Sequence, residues 1–239
     1  MVAGWRRRYP APTRFFPERR TGREYLDDPN LPDADRLRSY RDLEFLGRLP
    51  WQFSPLWNAC HELLEETGAC APGHSSVDCT VLELGAGTGH TARRLEKKAL
   101  DAGCAVRVVP TDRAPLDARI RKLDWLRDPL PECDVIYANL VLHHFSQKDA
   151  ILALMRMKDA ARRGGVIFDL SRSRTAFTLF RWIFPLVVSS PVTVADGLVS
   201  VQQAFTPDEL RDLAGEAGIR NPRVTTHGFF RARLSWRTS

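Results

Sequence analysis

The sequence predicts an α/β protein, a doubly wound and mostly parallel sheet covered by helices on both faces. Three observations predict it. Strand and helix signals alternate from residue 77 onward, the order that a parallel sheet with crossover helices requires. A short apolar strand runs straight into the glycine-rich turn Gly85-Ala86-Gly87-Thr88-Gly89, which opens a helix. A length of 239 residues suits one large domain with a small addition.

Residues 1–32 are rich in Arg and Pro and read as an extended arm, solvated or partly disordered. A helix is expected from about Asp33 to Pro50, because Leu37, Tyr40, Leu43, Leu46 and Leu49 recur at the spacing of one helical face. A second helix takes Ser54 as N-cap, Pro55 at its first position and Gly68 at its stop, with Leu56, Cys60, Leu63 and Leu64 as the buried stripe. These helices, residues 33–76, read as a small cap, and 71–76 as the boundary with a domain over 77–239. Strands are expected at 80–84, 106–111, 119–123 (the weakest signal), 134–139 and 166–170. Helices fall at 91–102, closed by Gly103, and at 148–161, where Ile151, Leu152, Leu154 and Met155 face inward and Gly164-Gly165 closes. Thr206-Pro207-Asp208-Glu209 opens a further helix with a capping box. Residues 223–236 finish as strand, two strands if the chain turns near His227-Gly228.

The net charge of +6 is local. Arg6, Arg7, Arg8, Arg14, Arg19, Arg20 and Arg23 stand in the first 23 residues against the single acid Glu18, and the remainder balances 28 basic against 28 acidic side chains. A neutral body argues against a broad nucleic-acid-binding face and leaves the arm to meet phosphates or anionic lipid. The five cysteines have no CxxC spacing and an odd count, so free thiols in a reducing cytoplasm are expected, without zinc. The first twenty residues, broken by Pro10, Pro12 and Pro17, lack a leader's apolar core. No run of eighteen apolar residues predicts a membrane span. No internal repeat is visible, and nothing specifies an oligomeric state.

The chemistry concentrates in Val81-Leu82-Glu83-Leu84-Gly85-Ala86-Gly87-Thr88-Gly89-His90. Glycines there let the backbone approach a ligand closely and adopt positive φ. A dinucleotide site needs G-x-G-x-x-G so that the pyrophosphate sits on the helix N-terminus. Here the spacing is G-x-G-x-G, and His90 stands where the third glycine would fall. Glu83 is awkward beside a pyrophosphate but well suited to a ligand bearing an ammonium group.

This pattern resembles motif I of the class I S-adenosylmethionine-dependent methyltransferases, and the resemblance extends over about residues 77–236. It implies a Rossmann-like, mostly parallel seven-stranded sheet with an antiparallel C-terminal strand, preceded by a helical cap. It implies S-adenosylmethionine (SAM) as cofactor, held by Glu83, Gly85, Ala86, Gly87, Thr88 and Gly89. Asp112, 23 residues after Gly89 and next to Arg113, would accept the ribose hydroxyls. Asp124 would accept from the adenine amino group, with Trp125 lining the adenine pocket. Asn139 and Leu140, at the tip of the fourth strand, would lie beside the methionine part.

Methyl transfer from a sulfonium is an in-line displacement that often needs a proton removed. His143 and His144 follow the fourth strand, where substrate would meet cofactor, and a neutral imidazole suits a phenol or enol proton near pH 7. One of them is the candidate base or orienting group; the alternative is an anchor for the loop. Adjacent histidines usually diverge, so no metal site is expected. The apolar stretch 175–188 reads either as a wall over an apolar or aromatic small-molecule acceptor or as core packed on the cap. Arg181 within it would orient an anion or reach water. Asp169, Arg172 and Asp196 lie in patches that resemble a branch of small bacterial methyltransferases and are secondary candidates. O-methylation is favoured over C-methylation because a histidine base is at hand. An RNA or protein methyltransferase using the basic arm, and a non-catalytic cofactor-binding module, remain as alternatives.

Overall fold

The structure, a computed structural model, describes residues 8–70 and 79–238. Arg6, Arg7 and the expected boundary at 71–76 lie outside them. Seven strands form one sheet: β1 (Cys79–Leu84), β2 (Val106–Asp112), β3 (Arg121–Lys122), β4 (Cys133–Asn139), β5 (Ala161–Leu170), β6 (Arg223–His227) and β7 (Arg231–Arg237). Their order is β3-β2-β1-β4-β5-β7-β6. β1 to β5 run parallel, and β7 runs antiparallel to both β5 and β6. The order reverses between β1 and β4, which opens the crevice where such sheets bind ligands.

Strands β1, β4 and β5 are buried on both faces and read as near-continuous apolar runs. Helices α2 (Pro50–Glu65) and α3 (His90–Asp101) cover one face, burying Leu56, Cys60, Leu63, Leu64, Ala92 and Leu95. Helices α4 (Gln147–Ala160) and α8 (Pro207–Glu216) cover the other. Ser146 caps α4 by accepting from the Asp149 N–H, and the expected Thr206–Glu209 capping box opens α8. Beyond the carboxyl ends of β4 and β5 lie α5 (Arg174–Trp182), the short α6 (Phe184–Val187), α7 (Pro191–Gln203) and α1 (Asp33–Gly47).

Several local expectations need correction. Helix α1 does not bury its leucines: Leu37 and Leu43 are exposed, and the inward face is Asp35, Ser39 and Asp42. That polar face is satisfied by α7 and its lead-in, where Asp42 accepts from the backbone N–H groups of Ser189 and Ser190 and Ser39 meets the Ser190 hydroxyl. Helix α2 starts at Pro50, so Ser54 is not its N-cap and Pro55 lies inside it. On α4, Leu152 and Met155 face solvent while Ala150, Ala153, Leu154 and Met157 are buried. Gly164 and Gly165 belong to β5; at Gly165 the Trp236 ring passes where a Cβ would stand.

The cysteines are not all free. Cys70 and Cys104 form a disulfide, because the segment after α2 pairs with the entry to β2, Ala105 N–H donating to the Ala69 carbonyl. Cys60, Cys79 and Cys133 remain as buried thiols. From Arg8 onward the arm is packed on the body along one side, while Arg14, Arg20 and Arg23 stay exposed. Tyr9 and Leu31 are buried with Val192 and Ala195 of α7, and the Arg20 N–H donates to the Gln202 carbonyl.

Candidate functional site

Two clusters meet the carboxyl edge of the sheet. The first is the corner between β1 and α3. Gly85, Gly87 and Gly89 all have positive φ, so the turn is one that side-chain-bearing residues rarely adopt. A Cβ at Gly85 would collide with Val141, whereas one at Gly87 meets nothing within 4 Å. The corner is therefore packed from beneath and open at Gly87. It is pinned by the Ala86 N–H donating to the Thr111 carbonyl and by the Gly87 N–H donating to Asp112 Oδ2, at 2.9 Å each. Asp112 Oδ1 accepts from the Ala114 N–H, and Arg113 beside it is exposed. Thr88 is half-buried, and the Arg93 guanidinium donates to its carbonyl.

Glu83 lies below this corner, fully buried and in register with Tyr137 of β4. Burial raises its carboxyl to about 8; the nearby Tyr137 hydroxyl and Ala92 N–H oppose the rise without cancelling it. Its Oε2 has no hydrogen-bond partner among the described residues. An unpartnered acceptor under an open glycine turn fits a cationic ligand better than a diphosphate. Asp124 accepts from the Leu126 N–H, and Trp125 is buried in the core against Phe145, ring centroids 4.8 Å apart. At the tip of β4, Asn139 donates to the Thr91 hydroxyl, and Leu140 takes a φ of 59°, a strained conformation for a non-glycine residue.

The second cluster joins the β4 tip to the arm. His143 Nδ1 lies 2.6 Å from Asp169 Oδ1, and its Nε2 lies 3.5 Å from Glu24 Oε1. Burial alone would drive this imidazole toward neutrality, but Asp169 and Glu24 outweigh it and hold its pKa at about 10. His143 is thus held between two carboxylates that favour its charged form over the neutral one a base needs. His144 is different. Its ring shares Glu24 with His143 but is held more loosely, with Nε2 3.9 Å from Glu24 and Nδ1 3.9 Å from Asp27, and its side chain is partly exposed. Burial and the His143 charge push it down, so it is neutral and free to take a proton.

The adjacent histidines do not diverge. Their ring centroids stand 4.3 Å apart, and Glu24, His143 and His144 each bring a ligand-capable atom within 4.8 Å of the others. Ser200 and Gln203 of α7 donate to Glu24, and Asp196 accepts from the Tyr25 and Leu26 N–H groups. Arg19 donates to the His143 and Phe145 carbonyls, and Arg172 makes a bidentate pair with Glu209 while also donating to the Pro17 carbonyl. Asp169, Arg172 and Asp196 therefore build and hold this cluster. Arg181 donates to the Pro12 carbonyl, and segment 175–188 buries Phe177 and Phe180 while exposing Trp182, Ile183 and Leu186. Sequence reading missed Glu24 and Asp27, which carry no motif and reach the histidines only because the arm folds back onto α7.

The glycine corner, the neighbouring Asp112 and this strand order define the class: the chain has the class I SAM-dependent methyltransferase fold. Among solved structures it is similar to the SAM-dependent methyltransferase SibL (TM-score 0.56, 17% identity, 97% of this chain and 64% of that one). It is also similar to a SAM-dependent methyltransferase of Aquifex aeolicus (TM-score 0.53, 18% identity, 84% of this chain and 98% of that one). A third is an O-methyltransferase family 2 protein of Planctomyces limnophilus, solved with apigenin (TM-score 0.53, 14% identity, 88% of this chain and 63% of that one). At such identities the likeness establishes the fold. In sequence, 93 residues are 31% identical to the O-methyltransferase hasC of Aspergillus fumigatus, covering 34% of this chain but only 22% of that protein. No family model matches the chain. Among the described residues, no helix is long and apolar enough to cross a membrane.

Proposed function

We propose that this protein is a SAM-dependent methyltransferase that O-methylates a small apolar or aromatic acceptor. The observation that carries the reading is the glycine corner, open at Gly87, with Asp112 closing onto it from the next strand. When bound, SAM supplies an electrophilic methyl group and leaves as the thioether. Gly85, Ala86, Gly87, Thr88 and Gly89 would cradle its amino-acid end. The free oxygen of Glu83 would meet the ammonium group, and Asp112 the ribose hydroxyls. Asp124 would accept from the adenine amino group, and Asn139 and Leu140 would border the methionine chain.

His144 is the proton acceptor in this reading. Its imidazole would take the hydroxyl proton of the acceptor as that oxygen is methylated. Glu24 and Asp27 then stabilise the imidazolium formed. His143 is a positioning residue: its fixed charge keeps His144 neutral beforehand, and its bond to Asp169 fixes the loop. Arg19 of the arm is turned inward onto the His143 and Phe145 carbonyls and is spent on this cluster, which favours a small acceptor over RNA.

The test is incubation with SAM and a panel of simple phenols, with mass spectrometry of the products. A methyl ether, formed together with S-adenosylhomocysteine, is expected. Transfer to a carbon or nitrogen atom instead would overturn the O-methylation reading.

A further inference from the structure

A second feature of the carboxyl edge goes unused in this scheme. A cavity of about 410 Å³ lies between α2 and the β6–β7 hairpin, lined by Ser54, Pro55, Thr226, His227, Phe230 and Arg231 among others. Arg231 is buried at 2% exposure. Its guanidinium donates to Gln52 Oε1, Asn139 Oδ1 and the Phe168 carbonyl, all neutral oxygens, and stacks 3.9 Å over the Phe168 ring. Its Nε has no partner, and no carboxylate among the described residues pairs with it. Asp169, whose charge reaches Arg231, spends its oxygens on His143 and the Leu170 N–H.

A buried charge normally has a counter-ion, because leaving one unpaired is strongly unfavourable. Arg233 adds a second guanidinium near this wall, donating to the Pro55 carbonyl with its own Nε unpartnered. Burial first, then these two cations, keep His227 neutral. Glu62, whose charge acts on Arg233, pairs with Arg223. The cavity is therefore positive, walled by Phe230, His227 and Pro55, and large enough for a single aromatic ring.

We infer that this cavity is a carboxylate-binding subsite for the methyl acceptor, in which Arg231 receives the anionic group of an aromatic acid. The inference rests on the proposed methyl transfer and deepens it. Arg231 also holds Asn139 at the tip of β4, so an acid anchored there lies beside the strand that borders the reacting methyl group. A planar guanidinium with free donors suits a carboxylate, and lysine would not replace its geometry.

Calorimetric titration of the full chain with benzoate, benzyl alcohol and S-adenosylhomocysteine tests it. Benzoate is expected to bind at least tenfold more tightly than benzyl alcohol. Arg231→Gln should weaken benzoate at least tenfold and S-adenosylhomocysteine several-fold less than benzoate, since Asn139 loses the guanidinium but keeps its bond to Thr91. Should that variant lose its near-ultraviolet circular dichroism, Ser54→Tyr, on the exposed rim, should block benzoate in a chain that still folds. Equal affinity for benzoate and benzyl alcohol overturns the subsite. So does an Arg231→Gln variant that loses S-adenosylhomocysteine and keeps benzoate, because the guanidinium then serves the cofactor's own carboxylate. If S-adenosylhomocysteine gives no heat with the unaltered chain while benzoate still needs Arg231, the methyl-transfer reading fails and the anion site alone survives.

Discussion

The glycine corner and the histidine cluster sit at the same edge of the sheet and are built in opposite ways. The corner is backbone: five consecutive residues, three with positive φ, closed by one carboxylate from the next strand. The cluster is side chains from distant parts of the chain: Glu24, His143, His144 and Asp169 converge through buried ion pairs and hydrogen bonds. A corner made of local geometry is written in a short motif. A cluster made of long-range charge pairing exists only after the arm has packed on α7.

The two regions should therefore break differently. The largest effect is expected from His144→Ala, which should lower kcat by roughly 10²- to 10⁴-fold, the usual worth of general-base catalysis. Its affinity for S-adenosylhomocysteine, measured by calorimetry, should stay within twofold. A parallel loss of affinity would show that the two regions are not separable.

Next, Glu24→Ala should destabilise the fold by about 3 kcal/mol, since it leaves a buried imidazolium short of a partner. Urea unfolding across pH checks this. The contribution of His143, whose folded pKa of about 10 exceeds its ordinary value, is full below about pH 6.5 and disappears as pH climbs through about 10. Glu24 and Asp169, both held below their ordinary values by His143 despite burial, contribute above the normal carboxylate range and lose that contribution in acid. The stability gap between the unaltered chain and Glu24→Ala should accordingly peak between about pH 5 and 6.5. A gap that does not vary with pH contradicts the ion-pair account.

At the corner, Asp112→Ala should weaken S-adenosylhomocysteine about 10- to 100-fold, the worth of a charged acceptor facing hydroxyl donors. Urea stability should fall as well, by about 1–3 kcal/mol, because Asp112 also accepts from the Gly87 and Ala114 N–H groups. The smallest effect concerns Glu83. With its pKa at about 8, it is mostly protonated at pH 6 and must ionise to meet an ammonium group. Affinity should rise with pH between 6 and 8, by at most tenfold per unit, and Glu83→Gln should flatten that slope. A flat profile in the unaltered chain would remove Glu83 from the ammonium site.

The same contrast explains what the sequence disclosed. Strands β1, β2 and β4, the corner, the Thr206–Glu209 capping box and the hairpin turn near Gly228 were legible, because each depends on neighbouring residues. The buried face of α1 was not: periodicity favours Leu37 and Leu43, but Asp42 is buried by hydrogen bonds to residues 147 and 148 positions away. His143 and His144 stood out as a pair, yet their unequal protonation depends on Glu24 and Asp169. The Cys70–Cys104 bond was hidden likewise, since only the pairing of Ala105 with Ala69 brings those turns together. Arg231 carried no motif; its burial without a carboxylate becomes visible only in three dimensions.

The β1–α3 corner should recognise a sulfonium amino acid nucleoside and not a dinucleotide. Parallel calorimetric titrations with S-adenosylhomocysteine and NAD at pH 7.5 test it most directly. Saturable heat at one site for S-adenosylhomocysteine, lost on Gly87→Val, and none for NAD is the predicted result; heat for NAD alone would contradict it.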